Sequence, residues 1–146
     1  MTTFAMLKPD NWHCHLRQGE MLEWMVDRVL ESGFCGRVLA MPNTLPPIRS
    51  SLNSQNYKKE IEKAIQTSRL GKNFEPVMTI QITEKTPPGF IENSVADGVN
   101  VGKVYPRYVT TNSENGVVDY LKIYPALAVA EKRGMVVCFH PEHPSY

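Results

Sequence analysis

Long apolar runs are missing from this 146-residue sequence. No segment approaches the roughly 20 apolar residues that a membrane-spanning helix needs. The opening Met1-Thr2-Thr3-Phe4-Ala5-Met6-Leu7-Lys8 lacks the apolar centre of a secretory signal. Cysteine is scarce, with three at Cys14, Cys35 and Cys138. An odd number without a spacing motif argues against a disulfide framework and fits a reducing, cytoplasmic setting. Small buried apolar residues are the expectation for all three. Charge of one sign is also lacking. The net charge is +1 and no basic run stands out, so nothing in the electrostatics asks for a nucleic acid or a membrane surface. No linker or low-complexity stretch divides the chain, so residues 1–146 read as one domain.

What is present is an ordinary globular composition. Hydrophobic residues make up 42% and charged residues 21%, enough for a real core. Strand and helix patterns alternate. Phe4 to Leu7 is predicted as a short strand leading into the His-Cys-His run. Glu20 to Ser32 is predicted as an amphipathic helix, with Met21, Leu22, Met25, Val26, Val29 and Leu30 on one stripe and Gly33 as its stop. Arg37 to Met41 is a second strand, followed by the proline-marked loop Asn43-Thr44-Leu45-Pro46-Pro47. A polar helix runs from Leu52 to Thr67, with Tyr57, Ile61, Ala64 and Ile65 inward. Pro76 to Thr83 is a third strand, Phe90 to Ala96 a short helix and Val99 to Tyr105 a fourth strand. Val117 to Arg133 is mostly helical, with Pro125 starting or kinking it and Gly134 ending it. Met135 to His140 is a fifth strand. This alternation implies an α/β fold with a parallel sheet and right-handed crossovers.

The unusual polar residues fall at equivalent places. In Asp10-Asn11-Trp12-His13-Cys14-His15-Leu16-Arg17, two histidines one residue apart share a strand face, because side chains alternate with a period of two. Convergent imidazoles suit a metal ion, and the following arginine suits a substrate carboxylate. Cys14 faces away from both histidines and is not taken as a ligand. Asn43 follows strand two, Lys103 lies inside strand four on the face of Val101 and Tyr105, and His140 ends strand five. The C-terminal ends of parallel strands share one edge, which is the active-site face of a (β/α)₈ barrel. Each residue also has a plainer reading. On spacing alone Lys103 is better read as a strand-end lysine reaching solvent, and His140 as a capped histidine. Arg17 and Asn43 read as loop residues. His143 is given no role. A buried, uncharged lysine amine, by contrast, is a nucleophile that reacts with carbon dioxide to give an anionic carbamate able to bridge two metal ions.

Taken together, Pro9-Asp10-Asn11-Trp12-His13-Cys14-His15-Leu16-Arg17-Gln18-Gly19 resembles the opening signature of the dihydroorotases, in the compact bacterial-type branch of the amidohydrolase superfamily. Four further blocks agree in order: Met41-Pro42-Asn43 with Pro46-Pro47; Lys103-Val104-Tyr105-Pro106; Thr110-Thr111-Asn112-Ser113 with Gly116-Val117; and Gly134-Met135 followed by the strand ending in His140. The resemblance runs from about Lys8 to Glu142. It implies a TIM-barrel hydrolase with two zinc ions that interconverts N-carbamoyl-L-aspartate and L-dihydroorotate in pyrimidine biosynthesis. It implies His13, His15 and His140 as zinc ligands and Lys103 as the carboxylated, metal-bridging lysine, against the plainer reading from spacing. It implies Arg17 and Asn43 as holders of the substrate carboxylate. The partner implied is the small-molecule substrate, with a homodimer as a candidate assembly.

Three departures stand beside the resemblance. Arg107-Tyr108-Val109 are bulky where the family has small residues. Pro141-Glu142 replaces the usual Gly-Glu. The length falls short, because a TIM barrel takes roughly 250 residues. The family's strand-six histidine and strand-eight aspartate, the latter its acid/base, have no counterpart here. The expectation is therefore about five βα units of an incomplete barrel, the N-terminal part of such an enzyme, inactive by itself. A native mass equal to 146 residues would count against a fragment. The alternatives are a non-catalytic half-barrel that binds metal or pairs with another chain, and another cyclic-amide hydrolase of hydantoinase type.

Overall fold

The computed structural model describes residues 5, 7–33 and 36–142. Six short strands alternate with four helices: β1 (Asn11–Cys14), α1 (Glu20–Ser32), β2 (Arg37–Ala40), α2 (Ser51–Thr67), β3 (Glu75–Val77), β4 (Ile80–Ile82), α3 (Pro88–Ala96), β5 (Val101–Val104), α4 (Tyr124–Arg133) and β6 (Val136–Phe139). A single 3-10 turn, Tyr120–Ile123, leads into α4. Every strand pairing is parallel. The strands form two three-stranded sheets, β1-β2-β3 and β4-β5-β6. The α/β class and parallel pairing follow the sequence pattern, whereas a closed barrel is not formed among the described residues.

The third predicted strand is divided. Pro76 to Thr83 becomes β3 and β4, separated by Met78 and Thr79. The β2–β3 ladder ends at Leu39 opposite Val77. The next carbonyl of β2, that of Ala40, accepts the Thr79 hydroxyl at 2.5 Å instead of a strand N–H. The Gln81 N–H then donates to the carbonyl of Ile48, in the loop after β2, at 2.7 Å. The strand thus changes partner, from β2 on one side to β5 on the other, without a turn.

Two other boundaries differ from the sequence expectation. Phe4 and Met6 lie outside the described residues, and Leu7 is exposed and not in a strand. The first strand instead forms over the histidine run itself. Asp10 ties its start to β2 by accepting from the Arg37 N–H at 2.8 Å and pairing with the Arg37 guanidinium at 2.6 Å. The last helix begins later than Val117. Val117 bridges Pro106 as extended backbone, and the Asp119 carboxylate accepts from the Leu121 N–H at 3.0 Å. This cap starts the 3-10 turn, and Pro125 sits in the first turn of α4.

The core lies between the sheets and their helices. Leu22, Val26 and Leu30 of α1 are buried at four-residue spacing, and Tyr57, Ile61 and Ala64 of α2 at spacings of four and three. Met25, Val29 and Ile65 pack on the edge of this cluster, while Met21 is exposed. Gly33 and Gly134 end α1 and α4 in the left-handed conformation that glycine adopts without strain. On the other sheet, Ile80, Ile82 and Val104 are fully buried beside Ile91, Ile123, Ala126 and Ala130. A Cβ on Gly102 would stand 2.6 Å from Ile82 Cδ1, so any larger residue here would make the Ile82 side chain shift. Because Gly102 and Val104 face the helices, Lys103 faces the other way.

Candidate active site

The loops that follow β1, β2 and β5 meet at one end of the strands. Asn43, after β2, is 3% exposed and stitched to the loop after β5 in both directions. Its Nδ2 donates to Thr111 O at 2.8 Å, and Asn112 Nδ2 donates back to Asn43 O at 2.9 Å. The polar block Thr110 to Ser113 folds on itself for this purpose. Ser113 Oγ donates to Thr110 O at 2.6 Å and accepts from the Thr110 N–H at 3.1 Å. Asn112 takes a positive φ of 57°, which asparagine tolerates better than most residues.

His13 is exposed and His15 half-buried, while Cys14 between them is buried in the apolar cluster. The two imidazoles do converge, with Nε2 atoms 3.2 Å apart. Burial lowers the pKa of both rings. The positive charges of Lys103 and His140 lower His13 further, and those of Arg17, His13 and Lys103 lower His15. A hydrogen bond with the Asn43 side chain acts in the opposite direction on His15. Both rings are therefore biased towards the neutral form that binds metals.

Lys103 is 3% exposed, so its side chain is enclosed rather than extended into solvent as the plainer reading of its spacing expects. Its Nζ lies 5.2 Å from the centroid of the Tyr105 ring. Among the described residues no carboxylate forms an ion pair with it. Burial lowers its pKa, with Cys138 acting weakly the other way. Cys138 is half-buried and in register with Lys103, so it lines this face rather than filling the apolar core. Cys35 and His143 lie outside the described residues.

His140 follows β6, and its backbone N–H donates to Val104 O at 3.0 Å. Its ring is 6.3 Å from the Tyr105 ring, centroid to centroid. His140 Nε2 contacts the Glu142 carboxylate at 2.8 Å. His13, His15, Lys103 and His140 thus lie close enough to act on one another electrostatically, with the His140 ring beside Tyr105 and engaged by Glu142. Among the described residues no three His, Cys, Asp or Glu side chains converge as a metal-holding group.

Arg17 is exposed and held with φ at 63°, a left-handed conformation that is uncommon outside glycine. The Tyr57 hydroxyl donates to its carbonyl at 2.5 Å. Gln18 Oε1 accepts from the Leu45 N–H at 2.8 Å, tying the first loop to the second. A small cleft of about 100 Å³ opens between His15, Arg17, Gln18, Asn43, Thr44 and Asn112. Its donors are the guanidinium and side-chain amides, a set that suits a carboxylate.

Two tyrosines carry more of this geometry than the sequence indicated. Tyr105 is 1% exposed, and its hydroxyl donates to Asn43 Oδ1 at 3.2 Å. Strand alternation places it on the face of Lys103, which was the available signal. Tyr57 reads from sequence as a core residue of α2. Nothing in its spacing reveals that its hydroxyl fixes Arg17.

Known proteins share this arrangement of chain. A dihydroorotase from Aliivibrio salmonicida is 40% identical over 144 residues, covering 97% of this chain and 40% of that relative. A dihydroorotase from Photorhabdus laumondii is 41% identical over 141 residues, covering 96% and 39%. This chain is a dihydroorotase homologue. It spans about 40% of the length of the curated dihydroorotases it matches and corresponds to their N-terminal part. No family model matches it. Among solved structures, the Saccharomyces cerevisiae dihydroorotase in complex with 5-fluoroorotic acid superposes with a TM-score of 0.81 at 28% identity. That match covers 92% of this chain and 36% of the yeast chain. The Campylobacter jejuni dihydroorotase also gives 0.81, at 29% identity, covering 95% and 39%. The parallel strand–helix units described above therefore match part of a dihydroorotase fold. No helix among the described residues is long and apolar enough to cross a membrane.

Proposed function

We propose that this chain carries the first metal- and substrate-binding elements of a dihydroorotase-type cyclic amidohydrolase. Its parallel units then form part of an eight-stranded barrel, completed by segments equivalent to the remainder of the relatives. The reaction is the reversible cyclisation of N-carbamoyl-L-aspartate to L-dihydroorotate. The observation that carries this reading is the pair of imidazole nitrogens 3.2 Å apart, with a buried lysine that pairs with no carboxylate among the described residues. Two nitrogens bound to one tetrahedral zinc, each about 2.0–2.1 Å from the ion, stand about 3.3 Å apart. The spacing fits, and the depressed pKa values of both rings favour the required neutral form.

His13 and His15 would hold one zinc. Lys103, carboxylated at Nζ, would bridge to a second, with His140 as a ligand once its ring leaves Glu142. Bound zinc lowers the pKa of water to near neutrality and polarises an amide carbonyl. The chain's own part is to bind and orient. Arg17 would offer two parallel N–H donors to the substrate carboxylate, with Asn43 lining the same cleft. Tyr105 locks Asn43 in place through its hydroxyl. With the histidines and Lys103 assigned to metal and Arg17 and Asn43 to the carboxylate, the acid/base is the group that the resemblance places in a strand-eight aspartate.

The test uses the polypeptide as its gene encodes it, loaded with zinc. Turnover of L-dihydroorotate well above that of hydantoin is the expected result. Preference for hydantoin would move the chain to another cyclic-amide hydrolase. A folded, zinc-binding protein that turns over neither would instead support a non-catalytic half-barrel.

A further inference from the structure

Gln81 is fully buried in β4, and neither its Oε1 nor its Nε2 has a hydrogen-bond partner among the described residues. A buried amide left unpaired is destabilising, because it has given up its water partners without replacement. Its neighbours Ile80 and Ile82 point into the helix layer, where Ile82 packs against Gly102. Gln81 therefore faces the other side of the sheet. Across the ladder it is in direct register with Lys103, which in turn is in register with Cys138. Residues in register on adjacent parallel strands share a face and have backbones about 4.8 Å apart. An unpartnered amide and the enclosed Lys103 amine thus share one face in direct register, and among the described residues no carboxylate pairs with the amine.

We propose that Gln81 is a positioning residue for carboxylated Lys103, donating a hydrogen bond from Nε2 to a carbamate oxygen. The inference rests on the reading of Lys103 given above. Carboxylation balances simply. The Nζ lone pair attacks the carbon of carbon dioxide, one C=O π pair moves onto oxygen, and the N–C bond forms. A proton leaves Nζ for solvent, giving an anionic carbamate. That anion has two acceptor oxygens where the amine had none, on the strand next to β4. The amide of Gln81 then gains the acceptor that it lacks, and the lysine is held in its rotamer by a neighbour on its own sheet. A hydrogen bond to a charged group is worth more than one between neutral groups.

The experiment measures the carbamate rather than turnover. The gene-encoded polypeptide is reconstituted with zinc and ¹³C-labelled bicarbonate, and the carbamate carbon is counted by ¹³C NMR. Gln81→Leu is expected to need roughly tenfold more bicarbonate for half-occupancy, the worth of one charge-assisted hydrogen bond. Gln81→Glu keeps the shape but places an anion beside the carbamate, and is expected to lose more. If Gln81→Leu does not fold, Gln81→Glu carries the test. Wild-type occupancy in either folded variant overturns the role of Gln81. Absence of a carbamate signal in the wild type overturns the reading of Lys103 instead, so the two failures are distinguishable.

Discussion

Lys103 illustrates how a single burial changes a chemical reading. In sequence it is one charged residue among small and apolar neighbours, and spacing favours a lysine that reaches solvent. In the structure it is enclosed, without a carboxylate partner among the described residues, and placed over the face of Tyr105. Lys103→Ala in the zinc-loaded, gene-encoded polypeptide should lower zinc affinity by at least the roughly 10–100-fold that loss of a supporting partner costs. Atomic absorption after equilibration with a chelator reads this directly, and unchanged zinc would remove Lys103 from the site. Tyr57 makes a comparable point about hydroxyls. Tyr57→Phe keeps the ring in the α1–α2 core but strips Arg17 O of its donor. A loss of about 1 kcal/mol is expected in urea denaturation. Weaker substrate binding should accompany it, because Arg17 holds its positive φ without support. The histidine pair and Asn43 were legible from motif and position. Tyr57 and Gln81 were not, because a hydroxyl on a core-facing helix residue and an unpaired amide in an apolar strand show themselves only once packing is known.

At the level of elements, α1, α2 and α3 were read to within two residues, whereas the start of α4 and the division of the third strand were not. The 3.6-residue apolar stripe and a terminal glycine mark α1 from Glu20 to Ser32 without reference to anything distant. Strands depend on partners, and the segment from Pro76 to Thr83 reads as one strand although its two halves pair with different neighbours. A hydroxyl hydrogen bond to Ala40 O, thirty-nine residues away in sequence, leaves no periodic trace. Packing between β5 and β4 gives a sharp prediction. Gly102→Ala should destabilise by about 1–3 kcal/mol through overpacking against Ile82. Adding Ile82→Val should recover part of that loss, and thermal denaturation of the single and double variants decides it. Glu84 secures the segment leading into α4. Its carboxylate accepts from the Val118 and Asp119 N–H groups and pairs with Lys122, and these bonds lower its pKa from 4.5 to about 2. A folded-state pKa below the unfolded one gives a contribution present above pH 4.5 and lost as pH falls towards 2. The Glu84→Gln variant should therefore show a shallower loss of stability than the wild type across that window in acid titrations followed by circular dichroism.

For the whole molecule, the two sheets are open. Among the described residues β1 and β6 each have a strand partner on one side, and Trp12, Val136 and Phe139 are exposed on these outer strands. Unpaired strand edges with apolar side chains invite association. A polypeptide restricted to residues 1–146 is expected to self-associate in size-exclusion chromatography and to be inactive towards dihydroorotate, whereas a stable, active monomer would contradict both expectations. The alternation of strands and helices made the parallel architecture legible from sequence. How far the sheet closes was not, since closure depends on strands that must pair across the two ends.

The change of partner within residues 75–82 has a consequence for how the protein breathes. Backbone pairing does not continue straight from one sheet to the other. It passes through Met78 and Thr79, with the Ala40 carbonyl and the Ile48 carbonyl acting as relays. Amide protons of β2 and β3 belong to one ladder and those of β5 and β6 to the other. Under native conditions exchange should thus proceed in two blocks with separate opening energies. The candidate site straddles the boundary, with His13 and His15 on the first block and Lys103 and His140 on the second. A ligand that binds both sets of residues would have to hold the two blocks together, so its binding should be read most clearly as a merging of their exchange rates.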